Sequence, residues 1–167
     1  KEILIYTFID PFYDFIKKYG STAVVILLII GFYRVADIVM GVVANLFYSE
    51  KGYTLNQIAN FSKFWGLIAT IFGGLIGGIL ASRFNNYFVL LLGSILAALT
   101  NCLFALLVTL EPEAIFLISI IIADNVSAGI ASVAFVAFLS SLTNIQFTTS
   151  QYAMFTSFML FFPKLIG

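Results

Sequence analysis

The residues able to do chemistry in this chain are few, and most of them lie inside apolar runs. Arg34 and Asp37 stand three residues apart near the centre of one run. Asn56, Asn60 and Lys63 begin a second, Asp124 and Asn125 interrupt a fourth, and Thr148, Thr149, Ser150 and Gln151 open a fifth. A carboxylate in such a place can take and release a proton, and an Arg or Lys can hold an anion. Other chemistries are poorly supplied. There is no His, which removes the commonest general base and metal ligand. The single cysteine, Cys102, can form neither an internal disulfide nor a thiolate cluster. The expectation is therefore no catalytic residues, no metal site, no cofactor and no enzyme activity.

The elements that carry these residues follow from composition. Of 167 residues, 62% are hydrophobic and 10% charged, and Phe alone occurs 19 times. A soluble domain runs at roughly 45–50% apolar and about 25% charged. A water-soluble globule of this size could not hide so much apolar side chain. Disorder is excluded as well, because the chain is neither polar nor strongly charged. The implied surroundings are membrane lipid. Eight Lys+Arg balance eight Asp+Glu, so no basic excess marks a nucleic-acid surface.

Five apolar spans are expected, at about 22–48, 55–81, 87–110, 114–142 and 148–167, the last cut off by the end of the chain. Each is near the ~20 residues that cross the hydrocarbon core, and each is far longer than a barrel strand. The predicted fold is all-α: a polytopic helical membrane protein with five transmembrane helices over residues 21–167. Thr54 is placed to cap the second span. Residues 1–20 read differently. Ile3, Leu4, Ile5, Tyr6, Phe8, Phe12, Tyr13, Phe15 and Ile16 alternate with Asp10, Asp14, Lys17 and Lys18, and Pro11 breaks a continuous helix. That pattern is a linker lying along the membrane surface, with Lys reaching the headgroups; a plain loop serves equally well for residues 1–10.

Lys1, Lys17, Lys18 and Arg83 fall on one side of the predicted spans, which is then cytoplasmic, and Lys51 with Glu50, Glu111 and Glu113 on the other. The chain starts at Lys1 and stops at Gly167 inside an apolar run, as an excerpt of a longer polypeptide would. No secretory signal is recognisable, since Asp10, Asp14, Lys17 and Lys18 interrupt the first 20 residues.

A charge at mid-bilayer costs about 2.5–3.5 kcal/mol on insertion scales, so it needs a reason. At 100° per residue, Asp37, Gly41, Asn45 and Tyr48 fall within about ±60° of Arg34. This stripe either lines an aqueous pathway or locks helix packing through an Arg34–Asp37 pair. Lys63 either faces a cavity or snorkels to the nearer surface. Gly73, Gly74, Gly77 and Gly78 let helix backbones approach closely, and with no strand before them and no Lys-Ser/Thr after them they form no phosphate loop. The third span is the least polar and supports the others or faces lipid. In the fourth, Ser127, Ala128, Ala131 and Phe135 share the face of Asp124. Asp37 is expected to stay ionised beside Arg34. No Lys or Arg stands within one turn of Asp124 on its own helix, so Asp124 is the candidate for reversible protonation, against a purely structural hydrogen bond.

The turn Gly77-Gly78-Ile79-Leu80-Ala81-Ser82-Arg83-Phe84 resembles the cytoplasmic loop motif of the major facilitator superfamily, with Ser82 where Asp is common and Asn85-Asn86 in place of a basic cluster. Four further stretches look like the C-terminal half of the AmpG muropeptide permeases. They are Phe32-Tyr33-Arg34-Val35-Ala36-Asp37 with Gly41; Phe61-Ser62-Lys63 with Gly66-Leu67-Ile68-Ala69-Thr70; Asp124-Asn125-Val126-Ser127-Ala128-Gly129, with Asp124 replacing a Glu; and Phe147-Thr148-Thr149-Ser150-Gln151-Tyr152-Ala153. Related acetyl-coenzyme A transporters share part of the pattern.

The resemblance implies that the five spans are the seventh to eleventh helices of a twelve-helix carrier whose two halves alternate around a central cavity. It implies proton-driven import of anhydro-muropeptides for peptidoglycan recycling at the bacterial inner membrane, with the missing N-terminal half of the same carrier as partner. Arg34, Asp37, Asn45, Lys63, Asn125 and Gln151 are then the cavity-lining candidates, Asp124 the proton-coupling candidate, and Arg83 the loop-motif residue. The competing reading is a helical membrane subunit without a transport cycle, which would set Arg34 and Asp37 against a partner helix.

Overall fold

The computed structural model describes residues 9–166. Residues 1–8 of the expected surface segment, with Lys1, Ile3, Leu4, Ile5, Tyr6 and Phe8, lie outside the described residues. Among those described there is no strand, and the elements are α1 (Asp10–Tyr19), α2 (Thr22–Tyr33), α3 (Val35–Glu50), α4 (Leu55–Phe61), a π-helical turn (Ser62–Gly66), α5 (Leu67–Arg83), α6 (Asn86–Thr109), α7 (Ala114–Leu142), a 3₁₀ turn (Ile145–Phe147) and α8 (Thr148–Ile166).

Four stretches are long and apolar enough to cross a membrane: Thr22–Glu50, Leu55–Arg83, Asn86–Thr109 and Ala114–Leu142. They match the first four expected spans closely. The stretch expected as a fifth forms α8 and is not one of the four among the described residues. Two of the four are not uniform α-helix. The first breaks at Arg34, whose ψ of −2° separates α2 from α3. The second passes through the π turn at Ser62–Gly66, one residue wider per turn than an α-helix.

The chain divides into two compact units, Met40–Phe138 and the residues on either side of it. In the flanking unit, Ala23, Ile26 and Ile30 bury one face of α2, which packs along α8. Phe15 of α1 is fully buried and meets Phe155 of α8 edge to face at 5.0 Å. Gly20 ends α1 at φ +55°, a left-handed conformation that a residue with a Cβ resists, and its N–H reaches the Ile16 carbonyl at 2.7 Å.

The unit Met40–Phe138 has an aromatic core near one end. Tyr48, Tyr53, Ile58, Phe104, Leu107, Leu117, Ile120 and Ile121 form it, with the Tyr48 and Phe104 rings stacked at 5.7 Å. Two turns meet beside this core. The Lys51 ammonium donates to the Val108 carbonyl at 2.6 Å, and the Tyr53 hydroxyl to the Glu113 carbonyl at 3.1 Å. Burial raises the Tyr53 hydroxyl above its ordinary pKa of 10.0, and the Glu113 carboxylate raises it further. Thr54 caps α4 as its position predicts, in a capping box: its Oγ1 accepts from Gln57 N–H at 3.3 Å while Gln57 Oε1 accepts from Thr54 N–H at 2.9 Å. At the other end Asn86 Nδ2 reaches the Ala137 carbonyl at 3.5 Å, and the Tyr87 and Phe138 rings meet at 5.5 Å.

Candidate functional site

Arg34 sits at the break between α2 and α3, and its guanidinium lies 3.5 Å from the Asp37 carboxylate in the first turn of α3. The two side chains are 25% and 21% exposed, so the pair is neither sealed in a core nor open like a surface pair. A helix interrupted at membrane depth frees backbone polar groups, a structure tolerated where it lines protein or a watered cavity. Farther along α3, Gly41 and Asn45 are exposed. Tyr48 departs from the expected stripe: it is buried in the aromatic core because stacking on Phe104 takes up its ring.

Lys63 lies in the π turn and is exposed. Single π turns inside α-helices recur at functional sites because they displace side chains from the regular lattice. Asn125 of α7 packs over the last residue of this turn, where a Cβ built on Gly66 would come within 3.3 Å of Asn125 Nδ2. The Thr70 hydroxyl approaches both the Gly66 carbonyl at 2.9 Å and Asn125 Oδ1 at 3.0 Å, while Asn125 Nδ2 donates to the Ile121 carbonyl at 2.8 Å. The amide of Asn125 therefore ties α5 to α7.

The four glycines divide. A Cβ on Gly73 would collide with the Val126 backbone, and one on Gly77 would lie 3.0 Å from Ile130 Cα. Gly74 would meet Val133 at an ordinary 3.8 Å, and Gly78 has nothing within 4 Å. The partner glycine is Gly129 of α7, where a Cβ would lie 2.5 Å from the Thr70 carbonyl oxygen and 2.8 Å from Gly74 N. Helices α5 and α7 thus cross backbone to backbone. A groove of about 340 Å³ beside the crossing is wholly apolar, lined by Trp65, Phe72, Ile76, Ile122 and Val126 among others, and holds none of the candidate polar residues.

Asp124 occupies the middle of a face of α7 whose other members are mostly buried: Leu117, Ile120, Ile121, Ser127, Ala131, Phe135, Phe138 and Leu142. Asp124 itself is half-buried and within electrostatic range of Tyr48. One turn on, the Ser127 hydroxyl is 3% exposed and has no hydrogen-bond partner among the described residues. A buried hydroxyl in that state is costly, and it sits next to the one carboxylate of α7. The spacing in the sequence puts Ser127 on the face of Asp124, but that its hydroxyl is buried without a partner among the described residues shows only in the fold.

Gln151 does not take the place expected for a cavity-lining amide. It is 1% exposed, its Nε2 donates to the Pro11 carbonyl at 3.0 Å and to Asp14 Oδ2 at 3.0 Å, and its Oε1 accepts from Asn144 N–H at 2.7 Å. Its hydrogen-bonding capacity is spent on holding α1. Arg83 is exposed and is the last residue of α5.

No family model matches the chain. Curated relatives do. The chain is 38% identical over 153 residues to "Putative transporter AmpG 4" of Rickettsia conorii, 92% of this chain and 36% of that protein. It is 37% identical to the protein of the same name in Rickettsia felis, over 92% of this chain and 36% of that protein. It is 34% identical over 148 residues to "Putative transporter AmpG 1" of Rickettsia bellii, 87% of this chain and 36% of that protein. Helical spans with charges at membrane depth define a polytopic membrane protein. The chain is similar to proteins named as AmpG transporters, and it spans about a third of the length of the relatives it matches.

Proposed function

We propose that the chain is part of a secondary carrier that imports muropeptides across the bacterial inner membrane by alternating access, coupled to protons. In this reading α2 to α8 supply five spans of the C-terminal half, α8 being the fifth, and the remainder of the carrier supplies the other half. The carrying observation is the similarity, over about nine tenths of this chain, to proteins named as AmpG transporters. The partly exposed Arg34–Asp37 pair at the break of a spanning helix supports it, since a lipid-facing structural anchor has no use for such a pair.

Arg34, with Asp37 holding it, offers a fixed cation for an anionic group of the solute, and Lys63 offers a second on the π turn. Asn45 and Asn125 supply amide contacts in the same proposal. Asp124 takes up and releases the proton, with the Ser127 hydroxyl three residues away able to donate to the charged carboxylate. The test uses the full-length carrier in proteoliposomes with an imposed proton gradient and labelled anhydro-muropeptide. Uphill accumulation is expected for the parent. Accumulation of acetyl-coenzyme A instead would overturn the substrate assignment. Asp124→Asn should lose accumulation and keep solute exchange; unchanged accumulation would remove Asp124 from the coupling step.

A further inference from the structure

The short helix α1 presents two faces of different chemistry. On one, Ile9, Phe12, Tyr13 and Ile16 fall within about 100° of each other and are 61%, 39%, 66% and 42% exposed. On the other, Pro11 and Phe15 are buried, and polar groups beside them bind one segment. Asp14 accepts from Asn144 Nδ2 at 3.3 Å and from Gln151 Nε2 at 3.0 Å. Lys18 Nζ and the Tyr19 hydroxyl each donate to the carbonyl of Leu142, the last residue of α7, at 3.4 Å. A cation at that point also meets the negative end of the α7 helix dipole.

What covers the exposed face follows from the chain. Gly20 and Ser21 alone separate α1 from the first residue of a membrane-length helix. So short a tether reaches roughly 10 Å, and α1 cannot leave the membrane boundary. Aliphatic and aromatic groups on one side, with Lys17 and Lys18 in the last turn, match the acyl chains and phosphates met at that depth.

We propose that α1 is a two-faced clamp. Ile9, Phe12, Tyr13 and Ile16 enter the lipid interface, and the Asp14–Lys18 side holds the turn between α7 and α8, so that the depth of α1 in the bilayer sets the position of that turn. This role is independent of what the protein transports.

Spin labels test it on full-length protein in nanodiscs of phosphatidylethanolamine and phosphatidylglycerol, with Cys102 replaced by Ser. Labels at 9, 12, 13 and 16 should be relaxed by oxygen and shielded from an aqueous nickel chelate, and labels at 10 and 17 the reverse. Access of the nickel chelate to all six positions overturns the proposal. So does shielding of the apolar four from both reagents, which means protein covers that face. The clamp is read separately, as the distance distribution between labels at 13 and 146. Asp14→Ala with Gln151→Ala should broaden it while the label at 13 keeps its depth, and an unchanged distribution overturns the clamp. If that pair does not fold, Lys18→Met, at an exposed side chain, should broaden it instead, and a distribution that stays narrow in this variant overturns the clamp as well.

Discussion

Gly73 and Gly129 meet where two helix backbones leave no room for a side chain, whereas Gly78, five residues on from Gly73, faces open space. The difference makes a graded prediction. Gly73→Leu or Gly129→Leu should lower the midpoint of thermal unfolding in detergent, at a cost of about 1–3 kcal/mol or more for forced overpacking. Gly78→Leu should leave that midpoint unchanged. Equal midpoints for all three variants would show that the crossing is not tight. The four-residue spacing of small side chains was legible in the sequence. Which glycines face the neighbour was not, because that depends on the rotation of α5 about its own axis. Gln151 shows the same limit from the polar side. An amide at the start of a span reads as a cavity group, and only the arrival of Pro11 and Asp14, from about 140 residues earlier, turns it into a tie.

The four long helices were legible from length and apolarity, and their interruptions were not. Neither Pro nor Gly marks the break at Arg34, and nothing in Ser62-Lys63-Phe64-Trp65-Gly66 announces a π turn. Such features come from tertiary demands: Ile58 on α4 must reach the aromatic core while Gly73 on α5 keeps its place against α7. The π turn supplies the extra residue that lets both happen. Deleting Phe64, an exposed side chain, should restore α-helix and rotate α4 by about 100° against α5, withdrawing Ile58 from the core. We expect a loss of up to about 1.5–3 kcal/mol, the worth of one buried Ile, measured as a lower unfolding midpoint. An unaltered midpoint would mean that the π turn plays no part in seating α4.

For the molecule as a whole, the pairing of chain ends and turns gives a membrane topology to check. The turns at Lys51 and at Glu113 touch each other, so they share one side, and the Lys/Arg placement predicts that it is the outer one. In Cys102→Ser protein, single cysteines at 51 and 111 should react with an impermeant maleimide in intact cells, and those at 83 and 146 only after permeabilisation. The opposite pattern would invert the assignment. The crossing of α5 with α7 also bears on how the protein is made. Thr70 and Asn125, which bond across it, are 55 residues apart, and all of α6 is synthesised between them. At 5–20 residues per second, ribosomes take about 3–11 s to cover that interval. For those seconds the face of α5 that carries Gly73 and Gly77 has yet to meet α7. Membrane insertion of α5 and its pairing with α7 are therefore separate events in the biogenesis of this chain.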